Sequence, residues 1–430
     1  MFLACIRMMR GSLLLGLLVA GGVARAQDAL LFLDPADGPM DGFAFFGTAA
    51  AISGQTAAVS APALIPSDTS GNPQEQIAYQ GVVNVYTANS ERTAWTLISV
   101  LHAEDYDPPD QTFGSGVALR GRQLIVASQG ALRIYERTAH GFEETDKLDF
   151  ETGEFLPALG GTPLLFENGT LAFKVIQQGA APAVVLYKVD NHGQARRIAK
   201  LTPPNDPQNL GFTSGLALNG AGDSLAIGGP SPDAQTPGNL YFYGPRGRTW
   251  KLTETLAPAS PSALGFGTGI ALHGKKLIVG APSEDVAFDP NANETLHAGA
   301  AYVYKREGNR WVQVQKLATD DPMQPVSGLV GFGSNIATNG RFVWITAPID
   351  PCNFASCSPG GESSLYEWQN GQLVFVARPP DGVTAGGGLD FSRRYVIVGD
   401  DNPFFGERAA IFDLTTFTPG GTAQEAAPED

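Results

Sequence analysis

A short pattern recurs along this chain, and any fold must satisfy every copy at once. In its clearest form Gly265-Phe266-Gly267 leads into Ile270-Ala271-Leu272, and His273-Gly274-Lys275 turns the chain back. Leu277-Ile278-Val279-Gly280-Ala281-Pro282 follows, a continuous apolar run suited to a strand buried on both faces. A long polar loop then precedes Ala300-Ala301-Tyr302-Val303-Tyr304. Glu307-Gly308-Asn309 turns again, and Trp311 to Leu317 alternates as an outer strand with one wet face. Each copy therefore reads as four antiparallel strands, and Gly 52 and Pro 31 supply the many turns this requires.

Further copies open near Phe46, Phe113, Leu159, Phe212, Phe332 and Gly387, which makes seven in all. The last stops after its third strand, Ala409 to Leu414. The missing fourth strand stands at the other end. Leu30-Leu31-Phe32-Leu33-Asp34-Pro35 precedes the first copy and resembles the fourth strand at Leu373-Val374-Phe375-Val376 with its exit loop. A linear solenoid has no use for that offset, whereas ring closure requires it. The expected fold is all-β, a seven-bladed β-propeller of four-stranded antiparallel blades over residues 27–417. The N-terminal strand completes the last blade and leaves no unpaired inner edge.

The flanks read differently. Arg7 and Arg10, the apolar stretch Leu13 to Val19 and Ala24-Arg25-Ala26 form a signal peptide over residues 1–26. An N-terminal anchor is the competing reading, but the apolar stretch is short for a bilayer. The mature chain is expected outside the cytoplasm, in the periplasm or the medium, as a monomer without a membrane span. Residues 418–430 read as a disordered acidic tail. Removing 1–26 takes away Arg7, Arg10 and Arg25 and no acid, so the net charge of −15 becomes −18. That charge repels phosphate backbones and excludes nucleic acid as an expected partner. Cys5 leaves with the signal, and Cys352 and Cys357 remain as a pair that reads as a local disulfide, adding about 2 kcal/mol by loop closure.

The strings Gly-Phe-Gly, Val-Gly-Ala-Pro, Ala-Ala-Tyr-Val-Tyr and Trp with Lys-Leu resemble the FG-GAP repeat, the blade type of the integrin α-subunit propeller and of many bacterial secreted proteins. The resemblance spans about residues 29 to 417 and implies a propeller with an extracellular role in adhesion or recognition. One departure matters. Integrin blades that bind Ca²⁺ carry an Asp-rich loop between the first two strands. Here those connections are short, as at Ser53-Gly54-Gln55 and Asn339-Gly340-Arg341, and cannot supply the 6–8 oxygens Ca²⁺ takes.

No phosphate loop, dinucleotide fingerprint or nucleophile elbow appears, and the five His stand in different copies or on turns. No cofactor is expected. Asp289, Asn291 and Asn293 alternate like the start of a calcium loop, but Glu294 takes the place of the turning Gly, so a solvated loop competes with a Ca²⁺ site. The long loops all join second to third strands, and with the exit loops they carry most acids. Asp68, Glu75, Glu284, Asp285, Asp289 and Asp350 are the candidate binding residues of that face. Arg120, Arg122, Lys275, Lys276, Arg306, Arg310, Arg393 and Arg394 fall on the opposite turns. The first strands, which line the axis, appear almost free of charge, and no paired acid and base is evident there. The expectation is a non-catalytic module presenting an acidic face to a protein or glycan. The alternative is a propeller glycoside hydrolase or lyase acting on extracellular polysaccharide, which would need two carboxylates about 5–10 Å apart.

Overall fold

A computed structural model of the chain describes residues 30–33, 46–62, 81–103, 112–156, 163–204, 211–231, 236–284, 299–318, 331–347, 362–377, 387–400 and 408–417. They form seven antiparallel sheets around a common axis, a seven-bladed β-propeller. Blade 5 has the strands Ile270–His273, Lys276–Ala281, Ala300–Glu307 and Arg310–Ala318, in that order from axis to rim. Blades 1, 2, 4 and 6, whose first strands are Ala50–Ser53, Gly116–Arg120, Leu216–Leu218 and Asn335–Thr338, repeat the order. Blade 7 is built from Leu389–Phe391, Tyr395–Asp400 and Arg408–Asp413, with Leu30–Leu33 as its outer strand. Leu30 stands opposite Phe412 and Leu33 opposite Ala409, so the N-terminal strand closes the ring.

The core consists of seven apolar layers, one in each seam between neighbouring blades. Successive side chains of a strand point to opposite faces, so each second strand feeds two layers. In blade 5 Leu277, Val279 and Ala281 face blade 4, while Ile278 faces blade 6. That is why these strands are unbroken apolar runs. The Phe that opens a copy fills a seam: Phe46, Phe113, Phe266 and Phe332, each followed by Gly, are fully buried, as is Phe212, which is followed by Thr213.

The glycines explain how closely the blades approach. A Cβ on Gly280 of blade 5 would lie 1.9 Å from the carbonyl oxygen of Gly333, at the entry to blade 6. The closing seam repeats the contact, with Gly399 of blade 7 at 1.9 Å from the oxygen of Gly47. Gly333 and Gly47 have φ of +95° and +98°, a conformation other residues rarely adopt. The seam that joins the two ends of the chain is thus built like those inside it.

Two features depart from a uniform four-stranded blade. In six blades the outer pairing shifts register at a tyrosine of the third strand: Tyr86, Tyr135, Tyr187, Tyr243, Tyr304 and Tyr366. Such bulges sharpen the local twist. In blade 3 the second strand, Thr170–Gln177, outruns the first, Leu165–Glu167, and Glu154–Phe155 covers the edge left bare.

Candidate functional site

The first strands converge on the axis, and there the few charges of these almost uncharged strands meet in one cluster. Arg120 ends the first strand of blade 2 (Gly116–Arg120), Glu167 ends that of blade 3, and Asp390 lies within that of blade 7. Arg120 donates from Nη1 to Asp390 Oδ2 at 2.9 Å and from Nη2 to Oδ1 at 3.2 Å, a forked pair. Its Nε donates to Glu167 Oε1 at 3.1 Å, and its Nη1 to its neighbour's carbonyl, Leu119 O, at 2.7 Å. Asp390 also accepts from the backbone N–H of Ile52 in blade 1, at 2.9 Å, and of Phe391, at 2.8 Å. Arg120 and Asp390 together therefore tie four blades. Arg120 belongs to this cluster rather than to an open basic face.

The cluster lines a cavity of about 270 Å³ where the first strands converge. Ala50, Val117, Leu165 and Leu389 give it apolar walls, and Thr48 and Asn335 add polar atoms. Burial alone would lower the Arg120 pKa, but Asp390 and Glu167 outweigh it and hold the guanidinium more firmly charged. Burial raises the Glu167 carboxyl above its ordinary range, and Arg120 only partly offsets this. With two carboxylates on one guanidinium, the ionised cluster carries one excess negative charge.

Of the candidate acids, Glu284 is the one within the described residues, and it is not a solvated loop acid. It is 1% exposed. Tyr302 Oη donates to it at 2.7 Å, Ser262 Oγ at 3.0 Å and Lys316 Nζ at 2.7 Å. Two strands and the loop entering blade 5 are pinned at that carboxylate, since a buried charge is tolerated only when so paired. Asp68, Glu75, Asp285, Asp289, Asn291, Asn293 and Asp350 lie outside the described residues, as do Cys352, Cys357, the signal peptide and the acidic tail. Among the described residues no group of three or more His, Cys, Asp or Glu is placed to hold a metal ion, and no helix is long and apolar enough to cross a membrane.

Three more of the basic turn residues are ion-paired, and Lys276 has neutral partners. Arg122 meets Glu136 at 3.3 Å, Arg394 meets Asp413 at 2.5 Å, and Arg306 pairs with Glu254. Lys276 donates to Gly340 O at 2.6 Å and lies over the ring of Trp368. A second buried cluster has no signature in the sequence pattern: Glu154 accepts a fork from Arg197 at 2.9 and 3.0 Å and a bond from Lys200 at 2.7 Å. Aromatic pairs across the seams, such as Phe242 with Trp311 and Trp344 with Phe412, serve blade packing.

No family model matches the chain. No curated protein sequence matches it either. The FG-GAP likeness therefore rests on the motifs. Among solved structures, a chain in the crystal structure of a mitotic checkpoint complex is similar at a TM-score of 0.51 and 13% identity, over 94% of this chain and 99% of its own. Sqt1 of Saccharomyces cerevisiae is similar at 0.44 and 8% identity, over 90% and 98%. A candidate 6-phosphogluconolactonase of Bacteroides uniformis is similar at 0.47 and 11% identity, over 78% and 92%. At 13% identity the likeness to the checkpoint-complex chain is one of fold alone.

Proposed function

We propose that this chain is an exported recognition propeller of the FG-GAP kind, non-catalytic, which offers an acidic loop face to an extracellular protein or glycan. The observation that carries the reading is the axial cluster. The carboxylates at the axis, where a propeller enzyme would need a free acid and base, are held by Arg120 and by backbone N–H groups. The seams lock neighbouring blades at backbone contact, which makes a stiff frame for variable loops. In this proposal residues 1–26 direct export, Cys352 and Cys357 staple one loop, and Asp68, Glu75, Asp285, Asp289 and Asp350 steer basic groups toward the face. Shortening the 63–80 and 285–298 loops separately tests it. Folding should survive, since the strands on either side pair without them. Retention of the protein on its native envelope fraction should fall and become more sensitive to salt. Retention unchanged in both variants would move recognition off this face.

A second reading has one specific observation behind it. Glu167 and Asp390 line the same cavity, and the raised Glu167 carboxyl is the kind of group that donates a proton to a leaving oxygen. Polysaccharide cleavage by the purified chain that disappears in Glu167→Gln or Asp390→Asn would establish this enzyme reading in place of the first.

A further inference from the structure

Away from the axis, a groove of about 490 Å³ lies at the rim between blades 3 and 4, on the face of the tight turns. Lys188 and Arg196 come from the outer strands of blade 3, Ala180–Val189 and Ala195–Leu201. In blade 4, Pro245 and Trp250 come from the facing ends of the strands Asn239–Arg246 and Thr249–Leu256 and Arg248 from the turn between them, and Ile198 of blade 3 adds an apolar side chain. The lining holds three cations and no acid. This is unusual in a chain with 43 acidic and 28 basic residues, and it contrasts with the ion-paired turns elsewhere on the same face.

The cations are not spent internally. Arg196 and Arg248 are exposed and have no ion pair among the described residues. Lys188 Nζ donates to Asn168 O at 2.7 Å, a neutral partner that positions the ammonium without cancelling its charge. The carboxylate of Asp223, in the first turn of blade 4, accepts from Asn219 Nδ2 at 2.8 Å and makes no ion pair with these cations among the described residues. Trp250 packs one side on the apolar layer between the two blades and is only half-buried, so part of the indole faces the groove.

We propose that this groove binds an acidic polysaccharide whose charge is carried by uronate carboxylates. The guanidinium groups match the planar carboxylate fork by fork, and the indole offers a flat apolar surface for the C–H face of a pyranose ring. One carboxylate per sugar suits three separate cations along a short groove. The net charge of −15 repels any polyanion, and it weighs more on a phosphate polymer, whose charges are more closely spaced than one carboxylate per sugar. The site stands apart from the acidic loop face and does not depend on it.

Affinity electrophoresis of the full chain through gels containing polygalacturonate, dextran, dextran sulfate or duplex DNA tests the proposal. Wild type should be retarded by polygalacturonate and not by dextran. Arg196→Glu and Arg248→Glu, both at exposed positions, should each weaken retardation by about tenfold or more, whereas Arg393→Glu, on a distant turn of blade 7, should leave it unchanged. Trp250→Ala, with its fold checked by thermal unfolding, should weaken binding of short oligogalacturonides too. No retardation at low salt would overturn the proposal. So would equal losses in Arg248→Glu and Arg393→Glu, or stronger retardation by dextran sulfate or DNA that ignores Trp250.

Discussion

Glu154 and Glu167 show how neighbouring parts of one blade set the same side chain to opposite tasks. Burial would raise the Glu154 carboxyl, but Arg197 and Lys200 outweigh it and hold the group below the ordinary value of 4.5. Glu167 shares one guanidinium with Asp390, and burial wins, so its value lies above 4.5. The linkage signs follow. Stability from Glu154 is present above 4.5 and is lost as the pH falls through its lower folded value. Stability from Glu167 is present below 4.5 and is lost as the pH rises through its higher folded value. Glu154→Gln should therefore flatten the acid loss of stability, and Glu167→Gln should steepen it. Urea midpoints taken from about pH 3 to 7 would show this. Curves of both variants that run parallel to wild type would mean that neither carboxyl titrates differently in the folded chain.

At the scale of elements, the seam glycine is the feature that allows seven sheets to sit side by side. Gly280 has an ordinary backbone conformation, so its requirement is purely one of space: the Gly333 carbonyl occupies the place of a Cβ. Gly280→Ala must push blades 5 and 6 apart and should cost about 2 kcal/mol or more. Gly220, in a turn of blade 4 with nothing within 4 Å of its Cβ position, is the matched control, and Gly220→Ala should stay within about 0.5 kcal/mol of wild type. Chemical denaturation of the two variants distinguishes a seam requirement from a general intolerance of glycine loss. The Gly-Ala-Pro string was visible as a repeat, but its partner was not. The contact joins Gly280 to the Phe332-Gly333 pair of the next copy, and a repeat read alone does not show what its neighbour presents. The tyrosine bulges were hidden for a related reason. Outer strands alternate loosely, and one extra residue there leaves the inner pattern intact.

At the scale of the whole molecule, closure was legible and the axis was not. Leu30 to Leu33 could be matched to a fourth strand by pattern, because pairing repeats along the chain. Arg120 and Asp390 are 270 positions apart and meet only because the ring brings first strands to one axis. Each is a single charge in an apolar strand, a faint signal until the strands converge. Closure itself can be tested by moving the chain ends. Leu30 faces Phe412 as Trp311 faces Arg306 in blade 5, where a two-residue turn joins the strands. A similar turn from Asp413 to Ala29 should therefore convert the closing pair into an ordinary hairpin. It would replace Leu414–Thr416 and forfeit the burial of Leu414, a loss of about 2 kcal/mol. New ends between Gly274 and Lys275, in an exposed turn of blade 5, cut no strand. Such a permutant should keep the strand content of wild type, elute at the same volume and unfold in one transition at a slightly lower temperature. A truncated chain that lacks the residues up to Leu33 should instead expose the edge of Arg408–Asp413 and self-associate through it. If the permutant fails to fold while the truncated chain stays stable and unassociated, the ring is not held by this strand.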